Sequence, residues 1–128
     1  MLYKKSKLTE GELDFMHVLW ELGEGSPEEI QKALAEKGRI VTGGTIRNIL
    51  VTMSEKGYVT RHKRGKAYIY SAKIGEEETK HFLLTDLLEK VFGGSESLMV
   101  ATLIKNREVK DNELEKIKKL IKEEKKED

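Results

Sequence analysis

Hydrophobic positions recur at helical spacing through the N-terminal half of the chain, and the residues bounding each block are those that start and stop helices. In the first block Leu13, Met16, Leu19, Trp20 and Leu22 mark a wide apolar face. Thr9-Glu10-Gly11-Glu12 ahead of it has the form of a capping box: the Thr9 hydroxyl accepts the Glu12 amide, the Glu12 carboxylate reaches back, and Leu8 against Leu13 is the hydrophobic staple. The spacing therefore predicts a helix from about Glu10 that Gly23-Glu24-Gly25 ends. Ser26-Pro27-Glu28-Glu29 opens a second helix in the same way, with Ile30, Ala33 and Leu34 inward and Gly38 as its stop. After an extended Arg39-Ile40-Val41, Thr42 caps a third helix. Its Ile46, Ile49, Leu50 and Met53 follow i, i+3, i+4, i+7, and Gly57 is its expected C-cap.

From Tyr58 the period changes. Tyr58-Val59-Thr60-Arg61-His62-Lys63 and Ala67-Tyr68-Ile69-Tyr70-Ser71 are β-branched and aromatic runs, and Arg64-Gly65-Lys66 between them predicts a hairpin with a basic tip. Tyr68 and Tyr70 share one strand face, where burial against the helices is expected. Beyond Ala72 only helix signals remain. Glu76 to Phe92 carries Leu84, Leu87, Leu88 and Val91 on one stripe and stops at Gly93-Gly94. Ser95 caps the apolar run Leu98 to Ile104, and Val109 to Ile121 forms a last helix with Leu114, Ile117, Leu120 and Ile121 inward. Glu123 to Asp128 reads as a frayed charged tail.

The pattern predicts a mainly α fold with a small β-hairpin wing. A winged helix-turn-helix covers residues 1–73, a helical dimerisation region 74–122 and a charged tail 123–128. Dimerisation follows from apolar content. Leu84, Leu87, Leu88, Val91, Leu98, Val100, Leu103, Ile104, Leu114, Ile117 and Ile121 are more apolar surface than roughly 50 residues usually enclose alone, and pairing two copies buries it.

Composition narrows the classes. With 6% aromatic residues and one proline in 128, an all-β sandwich or barrel is excluded, and the absence of cysteine removes disulfides, thiolate metal sites and thiol nucleophiles. The basic stretch Met1 to Lys7 is followed by no apolar segment of signal-peptide type, and the run Leu98 to Ile104 is too short to span a bilayer, so a soluble cytoplasmic protein without a membrane partner is expected.

The net charge of +1 hides two opposed blocks. From Leu8 to Glu36, eight acids (Glu10, Glu12, Asp14, Glu21, Glu24, Glu28, Glu29, Glu36) stand against Lys32 alone, a balance of −7. From Arg39 to Lys73, eight bases (Arg39, Arg47, Lys56, Arg61, Lys63, Arg64, Lys66, Lys73) stand against Glu55 alone, a balance of +7. The second block is the electrostatic footprint of a surface that meets phosphates.

The order helix, helix, helix, hairpin gives that charge a use. In a winged helix the second helix of the helix-turn-helix enters the major groove and the wing reaches backbone or minor groove. The outward side of the third helix carries Gly44, Asn48, Val51 and Glu55, flanked by Thr45, Arg47 and Thr52. Arg pairs bidentately with guanine and Asn with adenine, so Arg47 and Asn48 are placed to read bases, while Lys63, Arg64 and Lys66 suit phosphates. With Thr42 and Gly44 at the helix start, where backbone amides meet a phosphate, the DNA-binding set is Thr42, Gly44, Thr45, Arg47, Asn48, Thr52, Lys63, Arg64 and Lys66. The bland alternatives are a surface salt bridge for Arg47, a solvated turn for the wing, and a winged helix that binds protein instead of DNA. Glu77 with His81, and Asp14 with His17 and Glu21, are too few and too scattered for a metal or catalytic set, so no cofactor, metal or enzymatic activity is expected.

In this order the residues resemble the penicillinase-repressor family (BlaI/MecI type) over almost the whole chain. The matching stretches are Leu8-Thr9-Glu10-Gly11-Glu12 through Val18-Leu19-Trp20, Thr45-Ile46-Arg47, Lys56-Gly57-Tyr58-Val59, Tyr68-Ile69-Tyr70-Ser71 and Phe92-Gly93-Gly94-Ser95. The resemblance implies a homodimeric repressor whose winged helices bind a palindromic double-stranded DNA operator and whose C-terminal helices interlock. The chain departs from the family pattern at Gly43-Gly44, usually Pro-Lys, at Asn48, usually Thr, and at Thr52, usually Arg. Resistance-system members are inactivated by a protease at an Asn-Phe bond; the aligned pair here is Ala101-Thr102, which leaves any inactivating protease unknown. The cysteine ligands of copper-responsive relatives are absent.

Overall fold

A computed structural model of the chain describes residues 8–106 and 109–127. The elements run α1 (Glu10–Leu22), β1 (Glu24–Gly25), α2 (Pro27–Glu36), α3 (Gly43–Glu55), β2 (Val59–Arg64), β3 (Ala67–Ala72), α4 (Glu76–Phe92), α5 (Glu96–Lys105) and α6 (Asp111–Glu127). The chain divides into two compact units, Met1–Lys80 and His81–Asp128.

In the first unit the helix starts follow their local chemistry. Thr9 and Ser26 both close reciprocal capping boxes, with Glu12 and Glu29, and Thr42 caps α3 through the Thr45 amide. The stop of α3 falls one residue earlier than expected: Lys56 is the C-cap, and Gly57 follows it at φ 83°, the left-handed position that suits glycine. Helical faces then close one core. Phe15, Met16, Val18 and Leu19 of α1, Ile30 and Leu34 of α2, and Ile46, Leu50 and Met53 of α3 are buried, with Tyr58, Val59, Ile69, Tyr70 and Ile74 from the hairpin and its exit. Each such aliphatic side chain contributes about 1.5–3 kcal/mol by leaving water. Leu22, expected inward, stays exposed in the last turn of α1, and the half-buried Trp20 donates its indole N–H to the Ile74 carbonyl at 3.0 Å.

The sheet has three strands in the order β1-β3-β2, all antiparallel. The hairpin is as expected, but β1 is an addition: Glu24 and Gly25 pair with Ser71 and Tyr70. Two residues carry no periodicity, so the glycines around Glu24 signal only a helix end. The two tyrosines also part company. Tyr70 is buried, whereas Tyr68, nearer the wing tip, is 39% exposed.

The second unit is helical. Ser95 caps α5 through the Leu98 amide. The Lys/Glu-rich segment after Ile121 continues α6 to Glu127 instead of fraying from Glu123, as suits residues of high helix propensity. Among the described residues of this unit no hydrophobic side chain is buried.

Among the described residues of the first unit, one charged side chain is buried. The Glu12 carboxylate accepts the Thr9 amide at 2.9 Å and the Lys56 ammonium at 3.0 Å through both oxygens, joining the start of α1 to the end of α3. Lys56→Ala should destabilise the chain by about 2 kcal/mol, less than the loss of a fully buried pair because the lysine side chain is partly exposed. Urea unfolding should show a lower midpoint at unchanged slope, and an unchanged midpoint would show that the pair contributes no stability.

Candidate nucleic-acid interface

Because Ile46, Leu50 and Met53 bury one stripe of α3, its other side must face solvent. There the structure exposes Gly44, Thr45, Arg47, Asn48, Val51 and Thr52, on the side the sequence pattern assigned as outward. Thr42 is exposed at the cap, its hydroxyl accepting the Thr45 amide at 3.3 Å and donating to the Thr45 hydroxyl at 3.0 Å. Gln31 fixes the approach to this cap by donating its side-chain amide to the Val41 carbonyl at 2.8 Å. The Thr52 hydroxyl is spent within the helix on the Asn48 carbonyl, 3.2 Å away. A groove of about 220 Å³ beside this flank is lined by Thr9, Gly11, Glu12, Asn48, Ile49 and Thr52.

Arg47 is not free. Its Nη2 lies 3.3 Å from Glu28 Oε1 in the first turn of α2, so the surface salt bridge weighed for this residue is present. The wing behaves alike: Lys63, Arg64 and Lys66 are exposed around Gly65 at φ 64°, and Arg64 pairs with Glu24 of β1 at 2.7 Å. The acidic block thus reaches the basic one in space. Glu29, beside Glu28, is committed elsewhere: its carboxyl is held below the ordinary carboxylate range by hydrogen bonds from the Ser26 amide and hydroxyl, with a smaller push from the Arg64 charge.

Arg61 is the residue that sequence reasoning did not place in the site. Its guanidinium lies 4.0 Å from the centre of the Tyr68 ring, and a hydrogen bond with Tyr70 holds it above its ordinary pKa. Lys63 stands 5.9 Å from the same ring. Hairpin register carries the signal: Arg61 opposes Tyr70 and Lys63 opposes Tyr68, so two cations and two tyrosines share one strand face. Tyr68 is therefore covered by a cation instead of by the helices, and the wing presents a held arginine.

The other candidate clusters dissolve into ion pairs. Around a cleft lined by Asp14, His17, Glu21, Lys37 and Arg39, Arg39 bonds Asp14 at 2.6 Å and Lys37 bonds Glu21 at 2.8 Å. Glu77 pairs with Lys80 instead of His81. Among the described residues no three His, Asp or Glu side chains are grouped to hold a metal ion, and no helix is long and apolar enough to cross a membrane.

Residues 8–123 match the family model of the penicillinase repressor. The chain belongs to the penicillinase repressor family. It is 27% identical over 121 residues to the penicillinase repressor of Staphylococcus aureus, covering 94% of this chain and 95% of that one. It is 20% identical over 118 residues to the methicillin resistance regulatory protein MecI of Staphylococcus aureus strain Mu50, covering 92% and 95%. The solution structure of the DNA binding domain of the repressor BlaI superposes with a TM-score of 0.50 at 28% identity, over 56% of this chain and 87% of that one. This penicillinase-repressor chain is therefore a winged helix at its N-terminal end, with α3 in the place of the second helix of the helix-turn-helix.

The Ser26 cap gives a direct check on the turn that carries Glu28. Ser26→Ala removes the hydroxyl donor and should raise the Glu29 carboxyl toward its ordinary value in an NMR titration. A depressed carboxylate contributes stability above its ordinary pKa and loses it as pH falls through the folded value, so the deficit of the variant should be full at neutral pH and shrink in acid.

Proposed function

We propose that this chain is a transcriptional repressor that binds a palindromic DNA operator as a homodimer, with α3 in the major groove and the basic wing on the backbone. The observation that carries the reading is the solvent-facing side of α3, where Arg47 and Asn48 stand exposed while the opposite stripe is buried. Division of labour follows from chemistry. Phosphate contacts by Lys63, Arg64, Lys66 and Arg61 fix the register, and Arg47 and Asn48 read base edges. Thr42, Gly44 and Thr45 present the helix start to the backbone. Gly43-Gly44, Asn48 and Thr52, which depart from the usual family residues, give this chain its own operator preference.

The second unit supplies the partner. Leu84, Leu87, Val91, Leu98, Val100, Leu103, Ile104 and Ile121 are all exposed, and Leu88, Leu114 and Ile117 are half-exposed, an apolar load that supports pairing with a second copy. A two-fold axis sets two recognition helices about 34–36 Å apart, one DNA turn, so two weak half-contacts act together. Operator binding places this work in the cytoplasm, with the DNA, and needs neither a cofactor nor a catalytic residue.

Two measurements test the reading. Operator affinity should fall with salt with a log-log slope of roughly −0.9 per phosphate neutralised; Lys63→Ala should flatten it by about one contact, and Arg47→Ala should change base preference at a cost of about 1–3 kcal/mol. A salt-independent affinity would overturn DNA binding, and an unchanged preferred sequence in Arg47→Ala would overturn the placement of α3. For the dimer, Leu88→Glu should shift the mass seen by light scattering toward the monomer and weaken full-operator binding in the same samples. A parent that is already monomeric at micromolar concentration would remove dimerisation as the role of these helices.

A further inference from the structure

We propose that Glu28 and Glu24 are internal competitors for the DNA-facing arginines, setting the affinity for DNA below what the basic face alone would give; the proposal rests on the DNA-binding reading of α3 and the wing. The geometry is specific. Glu28 reaches Arg47 from the first turn of α2, and Glu24, fixed in β1 opposite Ser71, reaches Arg64 at the wing. A side-chain carbon added at Gly43 would come within 3.3 Å of Arg47 Nη1, so the guanidinium lies back across the first turn of α3, close enough that such a carbon would make it give way by a few tenths of an ångström. Neighbouring Glu29 forms no ion pair with either arginine: the Ser26 amide holds its carboxylate in the cap, and Arg64 acts on it only as a weaker charge nearby.

Both pairs are exposed, with 61% and 67% of the Arg47 and Glu28 side chains in solvent, so they are weak enough to open. Opening them nonetheless enters every DNA complex. A phosphate or a base edge that takes Arg47 exchanges one anionic or polar partner for another, and the carboxylate left behind repels the incoming backbone. The cost falls on random sequence, where Arg47 and Arg64 meet phosphates, as well as on the operator, where Arg47 meets a base edge, so these acids lower the affinity for both. Gln at either position keeps the shape and removes the competition.

The test uses the full chain, a selected operator duplex and a random-sequence duplex of the same length at low salt. Glu28→Gln and Glu24→Gln should each tighten both duplexes about two- to five-fold, the range of an exposed ion pair, whereas Glu36→Gln, the same charge change at the far end of α2, should do less. In an Arg47→Ala background the gain from Glu28→Gln should fall by at least half on a logarithmic scale. No tightening in either variant, a gain no larger than that of Glu36→Gln, or a gain undiminished without Arg47 would each overturn the proposal while leaving DNA binding intact. A parent chain that binds neither duplex would overturn both.

Discussion

The fixed orientation of α3 rests on burial of its apolar stripe together with one carboxylate. Ile46, Leu50 and Met53 decide which side of the helix turns inward. Glu12, capping α1 while holding Lys56 just past the end of α3, adds a directional tie that hydrophobic burial by itself does not provide. Burial is non-directional, and a helix held only by a stripe can rotate about its axis or slide along it; a buried charge with two partners resists both. The exposed set from Thr42 to Thr52 inherits its position from these two constraints.

Electrostatics in the first unit work by proximity in space more than by net charge. The acidic segment before Arg39 and the basic segment after it are separate in sequence, yet β1 and the start of α2 bring Glu24 and Glu28 onto Arg64 and Arg47. The exposed pairs add little to stability. Their consequence lies in what the arginines must leave in order to meet another anion. Arg61 contrasts with them: held over Tyr68 and bonded to Tyr70, it is oriented by uncharged groups, which leave no unpaired carboxylate behind when it meets an anion.

The two units use apolar residues differently. The first closes one core of buried aliphatic and aromatic side chains, with Leu22, Ile40, Val51 and Tyr68 left outside it, whereas every described hydrophobic residue of the second keeps contact with solvent. That difference follows from the elements available. Three helices and a sheet supply layers on several sides of a core, while three helices with single stripes leave much of each stripe uncovered.

Much of this was legible in the residues themselves. The capping boxes at Thr9 and Ser26, the helical period of α3, the hairpin around Gly65 and the limits of α4 are local signals, encoded within a few residues of where they act, and so are readable without the fold. The outward position of Arg47 and Asn48 followed from the same period. Contacts between segments distant in the chain were decided only by tertiary structure. The strand at Glu24–Gly25, the union of Glu12 with Lys56, the exposure of Tyr68 beneath Arg61 and the salt bridge of Arg47 with Glu28 each depend on which element lies alongside which. A two-residue strand has no period and a charged side chain is compatible with many partners, so local pattern determined the helices, the hairpin and the inward stripe of α3, while packing chose the third strand and the pairs.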